Sequence, residues 1–155
     1  TCRGLTIHPF SVSHDAADPV GFLIGGGRKS LGYCTDTGVV SRLMAHRLAG
    51  CAALILESNH DPEMLRTGPY PASLQQRVRS KTGHLANQTA ADFLADLLHD
   101  RLEHVVLAHI SETNNRPHLV KESVARVLAG RGGPRPRISL GLQAAAGELV
   151  SLTGS

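Results

Sequence analysis

Five polar stretches interrupt the apolar runs of this sequence. "SHDAADP" carries His14 and Asp15, "TDTG" carries Asp36, "ESNHD" carries Glu57, His60 and Asp61, "TGHLAN" carries His84, and "AHIS" carries His109. Imidazole nitrogen and carboxylate oxygen are the ligand set of zinc and manganese sites. A carboxylate can bridge two such ions, and two ions can clamp a phosphoryl group. Each residue also has a plainer role open to it. Asp36 could cap a helix that starts after Gly38, and His14 and Asp15 could shape the turn before Pro19. Glu57 and Asp61 could be helix caps, and His109 could be a satisfied buried histidine. The joint pattern favours chemistry, because an open α/β sheet gathers its functional groups where strands release the chain at their carboxyl ends. His8, His46, His99, His104 and His118 read as surface or structural residues. "GGG" at 25–27 has no helix behind it, which suits a hairpin turn better than a phosphate loop.

The elements that must position these groups follow from the hydrophobic period. "GLTIHPFSVS" alternates Leu5, Ile7, Phe10 and Val12, with a proline that suggests an edge strand or a bend. Residues 20–24 and 31–35 form a hairpin around 25–27 and the charged residues after it. The period then changes. Val39, Val40, Leu43, Met44 and Leu48 fit one helix face ending at Gly50. "CAALILE" and "HVVLAHIS" are short continuous apolar runs, as buried parallel strands are. "DPEMLRTG" is a helix with Asp61 as N-cap and Pro62 at its first position. "PASLQQRVRSKTG" is a second short helix. Thr89 is placed to cap "AADFLADLLHD", with Asp92 three residues on. Pro117 opens another helix, closed by Gly130. "PRISLG" and "GELVSL" are weaker strand candidates. Hairpins followed by alternating helices and strands predict an α/β chain with a mixed sheet and flanking helices.

Composition sets bounds on what such a chain can be. It has 155 residues, 41% of them hydrophobic, with no Trp and a net charge of +3. That is enough for a single domain with a core of Leu, Val, Ile and Ala. The charge suits an anionic ligand without arguing for nucleic acid by itself. Cys2, Cys34 and Cys51 are an odd set without CxxC spacing. Reduced thiols in the cytoplasm fit them better than a disulfide scaffold. No run is long and apolar enough for a membrane span, and no signal peptide is visible.

Taken in order, "PFSVSHDAADPVGF", "TDTG", "ESNHDPEML", "GHLAN" and "LAHISETNNRP" resemble the C-terminal half of a metallo-β-lactamase-fold hydrolase. The likeness, over about residues 4–129, is to the WalJ/YycJ-type branch, related to tRNase Z and RNase J nucleases. It implies half of a four-layered αββα sandwich with two divalent metal ions, Zn or Mn, in the complete domain. By motif, His14 would bind the first ion, Asp36 would bridge, and His109 would bind the second. Glu57 and His84 resemble the pair that assists the leaving group. The family's HxHxDH signature is absent, and the chain starts without Met at "TCRG". The expectation is therefore one unit, residues 1–155, corresponding to the second half of the domain. Alone it would bind metal poorly, since a catalytic zinc takes three protein ligands. Its uncovered half-core would call for a dimer or for the missing N-terminal half.

The resemblance implies a metal-dependent phosphodiesterase, with DNA exonuclease favoured. Arg77, Arg79 and Lys81 before His84 are candidate contacts to backbone phosphates, or simply a solvated helix face. Ser111 and Asn114 are further candidate substrate contacts. Arg131, Arg135 and Arg137 form a weaker basic patch. Two alternatives stay open. One is a small-molecule metallo-hydrolase such as a lactonase, esterase or cyclic phosphodiesterase. The other is a non-catalytic half-domain that needs a partner.

Overall fold

The computed structural model describes residues 4–152, apart from 131 and 134. One six-stranded sheet holds its strands in sequence order: β1 (Thr6–Ser11), β2 (Val20–Gly26), β3 (Lys29–Cys34), β4 (Ala53–Glu57), β5 (His104–Ala108) and β6 (Arg137–Leu140). The first two pairings are antiparallel and the next three parallel. β1 therefore runs in the same sense as β3, β4 and β5. The carboxyl ends of all four lie on one edge of the sheet, and that is the edge where the polar stretches emerge.

Among the described residues, five helices connect or follow these strands: α1 (Arg42–Leu48), α2 (Pro62–Thr67), α3 (Ala72–Val78), α4 (Asn87–Leu97) and α5 (Pro117–Ala129). Met44 and Leu48, then Phe93, Leu94 and Leu97, then Val120, Val124 and Leu128 recur every three or four residues. They bury their stripe against Leu54, Leu56, Val105 and Leu107 of the sheet. Gly32 on β3 lets α1 approach closely, because a Cβ there would lie 2.3 Å from Leu48 Cδ2.

Side chains alternate across a strand, so the neighbouring rows point the other way. Ile7, Ile24 and Leu31 form one row; Phe22, Tyr33, Ile55 and Val106 form the next. Ile7 is 48% and Tyr33 37% exposed, and the other five are half-buried. Across β1 to β4 this face is apolar. At β5 and β6 it carries His104 and Ser139, which hydrogen-bond at 2.9 Å. No helix among the described residues covers it.

Several expected boundaries move. β1 is an edge strand, and Pro9 is tolerated there opposite Phe22. The hairpin strands run longer than read, with Gly27 (φ 59°) and Arg28 as the turn. α1 starts only after Ser41, whose hydroxyl accepts from Met44 N–H. Val39 and Val40 precede it, so neither Asp36 nor Gly38 caps it. α4 starts at Asn87, two residues before Thr89, which sits within its first turn. The capping pattern "T-x-x-D" loses because the backbone is already fixed by Asn87 N–H donating to the His60 carbonyl at 2.9 Å. Asp61 caps α2 as read, accepting from Met64 N–H at 2.9 Å. "GELVSL" is not a strand, and Leu149 is 94% exposed. Cys34 and Cys51 are free and buried, and burial, helped by Glu57 and Asp36, pushes the Cys34 thiol up to about 12. Cys2 lies outside the described residues. No helix among those described is long and apolar enough to cross a membrane.

Candidate metal centre

The loops leaving β1, β3, β4 and β5, together with the loop joining α3 to α4, converge at the carboxyl edge of the sheet. Backbone bonds tie them to one another. Gly38 N–H donates to Ser13 O at 2.9 Å, Asp15 N–H to Thr82 O at 3.1 Å, and Ser58 N–H to Ala108 O at 3.0 Å. Ser13 Oγ donates to Lys81 O at 2.8 Å. Asp36 (φ 57°) and His109 (φ 56°) are the non-glycine residues with positive φ among those described. Such conformations cost free energy and persist where surrounding contacts enforce them. Here they turn both side chains back over the edge of the sheet.

Glu57 is at the centre of the arrangement. It ends the central strand β4 and is fully buried. Its Oε1 lies 2.7 Å from His84 Nδ1 and 2.7 Å from His109 Nδ1. Its Oε2 accepts from the N–H groups of Thr37 at 3.0 Å and Leu85 at 3.3 Å. Burial alone pushes this carboxyl toward protonation. The donors from His109, His84 and Thr37 outweigh it and hold the group below the usual carboxylate range. Reciprocally, the bond to Glu57 raises His109 above its ordinary value despite burial.

Each of His14, His84 and His109 brings a ring nitrogen within 4.0 Å of Asp36 Oδ1, and for His84 it is Nδ1, the atom that also meets Glu57. His109 Nε2 is 3.6 Å and His14 Nε2 3.8 Å from Asp36 Oδ1. His14 Nδ1 is 3.1 Å from Gly83 O. The His14, His84 and His109 rings form a chain with centroids 5.0 Å apart at each step. Two overlapping groups of side chains are close enough to share an ion: His14, Asp36 and His84, and Glu57, His84 and His109. A metal-binding histidine commonly gives its second N–H to a carboxylate or carbonyl, which fixes the tautomer and frees the other nitrogen. His14 and His109 are held in that way, so the donor set fits a divalent cation.

A cavity of about 480 Å³ opens over this cluster, lined also by Tyr70, Leu74 and Arg77. Arg77 bonds Asp15 through its Nε, which holds the Asp15 carboxyl below its usual range. Ser111 and Asn114 line the same cavity. Ser111 Oγ accepts from Asn114 N–H at 3.0 Å, and Asn114 Oδ1 is buried without a hydrogen-bond partner. Arg79 lies on a smaller, adjacent cavity, and Lys81 is exposed. Arg137 pairs with Glu148 at the amino end of β6, on the edge opposite the cluster. Exposed Arg135 precedes it, and Arg131 lies outside the described residues.

Sequence reasoning missed what braces the cluster. Asn59 Nδ2 donates to the His109 carbonyl at 2.9 Å. Asn115 Nδ2 reaches the carbonyls of Ser58 and Asn59 at 3.0 and 2.9 Å, and Asn87 Nδ2 donates to Asn115 Oδ1 at 2.8 Å. The only linear signal was a density of Asn around the chemical residues. His60, ambiguous in sequence, is buried, with an Nδ1 that has no hydrogen-bond partner. Burial lowers it to about 4. The folded state thus resists a proton that the unfolded chain takes up near 6.5. Stability is expected to fall as pH drops from 6.5 to about 4. Urea midpoints across that window should show the slope, and His60→Asn should flatten it; equal slopes would exclude His60 as its source.

The comparisons with known proteins agree with this geometry. A family profile described as the beta-lactamase superfamily domain matches residues 1–110. This chain belongs to that superfamily. The exodeoxyribonuclease YycJ of Bacillus anthracis is 42% identical over 132 residues, covering 85% of this chain and 50% of that protein. The exodeoxyribonuclease WalJ of Streptococcus pneumoniae is 37% identical over 129 residues, 83% of this chain and 48% of that protein. The chain thus spans about half the length of the curated relatives it matches. Among solved structures, the metallo-beta-lactamase fold protein YhfI of Bacillus subtilis superposes with a TM-score of 0.63 at 14% identity, over 91% of this chain and 48% of that one. Zn(2+)-bound PqqB of Methylobacterium extorquens gives 0.55 at 25% identity, over 89% and 44%. The fold is the expected α/β one, a mixed six-stranded sheet with flanking helices whose structural neighbours are metallo-beta-lactamase fold proteins, and the family implies divalent metal.

Proposed function

We propose that this chain is the C-terminal half of a two-metal phosphodiesterase that cleaves DNA as an exonuclease. The observation that carries it is the cluster in which His14, His84 and His109 each bring a ring nitrogen within 4.0 Å of Asp36 Oδ1, with Glu57 bonding the rings of His84 and His109. The triads close enough to share an ion are His14, Asp36 and His84, and Glu57, His84 and His109. The exodeoxyribonuclease relatives support DNA as the substrate, and the open apolar face suits burial against a second half supplying the HxHxDH ligands. His14 Nε2, His109 Nε2 and the Asp36 carboxylate would hold the ions, with Asp36 between them. Imidazole and carboxylate suit zinc or manganese; the zinc in the PqqB structure favours zinc. The ions, when bound, supply Lewis acidity toward the phosphoryl oxygens and activated water.

This chain's own residues do the rest. Glu57 holds His84 through Nδ1, which leaves Nε2 to carry a proton toward the leaving oxygen. Its carboxylate offsets the positive charge of the protonated ring. Arg77 lines the larger cavity but is paired with Asp15; Ser111 and Asn114 line the same cavity and are candidate substrate contacts. In the full-length protein, Asp36→Asn is expected to lower DNA cleavage at least a hundredfold and to weaken binding of both ions, since a bridging ligand serves each. Measured metal content and degradation of end-labelled DNA read the two effects. Cleavage by Asp36→Asn at the wild-type rate, or no cleavage by wild type with Zn²⁺ or Mn²⁺, would sink the reading.

A further inference from the structure

A second cavity, of about 210 Å³, lies beside the metal centre and shares His84 with it. His60, Arg79, Leu85, Ala86 and Thr89 line it, and none of His14, Asp36 and His109 does. Its electrostatics are one-sided. The N-terminus of α4 opens here, with Ala86 at the N-cap and no side-chain hydrogen bond to the first turn. Asn87 N–H is used by the His60 carbonyl. Gln88 and Thr89 N–H occupy positions that have no intrahelical acceptor, at the positive end of the helix dipole.

Arg79 adds a full positive charge. Its Nε reaches only the Gln75 carbonyl, at 3.3 Å, and no carboxylate among the described residues lies within ion-pair distance. Arg77, two residues earlier, is by contrast neutralised by Asp15. His60 stands in the wall, 3% exposed, with Nδ1 unpartnered. The acids nearest that ring are already engaged. Glu57 accepts four donors, and Asp61 caps α2. Arg79 is exposed and His60 stays neutral, so no anion is required here. But a guanidinium free of carboxylate partners and the helix N-terminus line one cavity, which offers an anion complementary charge and donors.

We propose that this cavity is a phosphate subsite, in which Arg79 supplies the charge and the first turn of α4, with the Thr89 hydroxyl, supplies donors. Because His84 walls both cavities, the phosphate held here is the one next to the phosphate being cleaved. This placement along a strand rests on the nuclease reading above; the binding of an anion does not. The subsite makes a substrate with at least two phosphates better than an isolated phosphodiester.

Two measurements test this on the full-length protein. Inorganic phosphate, titrated into metal-free protein with chelator present, is expected to shift the Gln88 and Thr89 amide resonances. Arg79→Ala should weaken that binding about tenfold, as loss of a charge-assisted bond does, and Arg79→Lys should recover part of it. Arg79 is exposed, and the same spectra show whether the variants remain folded. In the metal-loaded protein, the ratio of kcat/KM for a thymidine oligomer to that for bis(p-nitrophenyl) phosphate should fall about tenfold in Arg79→Ala. The slope of oligomer affinity against salt should drop by about one. No phosphate-induced shift at Gln88 and Thr89, or equal shifts in wild type and Arg79→Ala, overturns the subsite. An unchanged ratio with intact anion binding overturns its place on the strand. If neither substrate is cleaved by wild type, the nuclease reading fails while the phosphate titration still decides the subsite.

Discussion

Glu57→Gln is expected to destabilise the protein by about 2–5 kcal/mol, two or more unsatisfied buried groups' worth, and to weaken metal binding roughly 10- to 100-fold, as loss of an outer-shell partner does. The carboxylate is acceptor-only and receives four donors: two imidazole Nδ1 groups on Oε1 and two backbone N–H groups on Oε2. An amide offers one oxygen and one NH₂. If its oxygen keeps the histidines, its NH₂ points at the Thr37 and Leu85 N–H groups. If it keeps the backbone, its NH₂ meets both rings and forces each to expose the wrong nitrogen. The residue is fully buried, so water cannot make up the difference. Urea midpoints and calorimetric Zn²⁺ titration of the full-length protein read the two effects. A Glu57→Gln protein with wild-type midpoint and wild-type affinity would show that the four contacts do not matter.

Gly83→Ala is the second large effect, expected near 3 kcal/mol, at the upper end of overpacking. A Cβ at Gly83 would lie 2.2 Å from Val78 O and 2.3 Å from Arg77 O. These are backbone atoms at the end of α3 and cannot rotate away. The methyl would lift the 80–84 loop from α3, breaking the 2.9 Å bond from His84 N–H to Val78 O. It would also displace the carbonyl that meets His14 Nδ1. One methyl group thus disturbs two imidazoles; if the proposed nuclease reading holds, DNA cleavage by the full-length protein should fall with stability. Gly50→Ala, with open space around its Cβ, is the control and should stay within about 0.5 kcal/mol of wild type. Equal melting curves for the two variants would mean that the close approach at Gly83 carries no strain.

Gly83 also shows where a linear reading stops. "TGHLAN" was recognisable as a motif, but the reason for its glycine is a contact with a helix end five residues back. Gly38 in "TDTG" is similar: its Cβ would lie 2.4 Å from Ser80 O, a segment some forty residues away in sequence. The element types were mostly legible, because periods of two and of three to four residues separate the strands from the helices. Boundaries failed where a tertiary bond overrode a local cap, as at Asn87 and Thr89. The reading failed again at "GELVSL", which forms no strand although β6 offers a free edge; an alternating pattern by itself does not bring a segment onto the sheet.

The sequence by itself determined the α/β class, the order of strands and helices, and the chemical types gathered at strand ends. These follow from local periodicity and from residue chemistry, both of which survive in one dimension. Only the tertiary structure decided that Glu57 serves His84 and His109 with the same oxygen. It also decided that Asp36 and His109 sit at positive φ, and that Arg77 is paired while Arg79 is not. Those outcomes depend on distances between residues 27 to 62 positions apart. Such distances are set by strand register and loop packing, which no local pattern encodes.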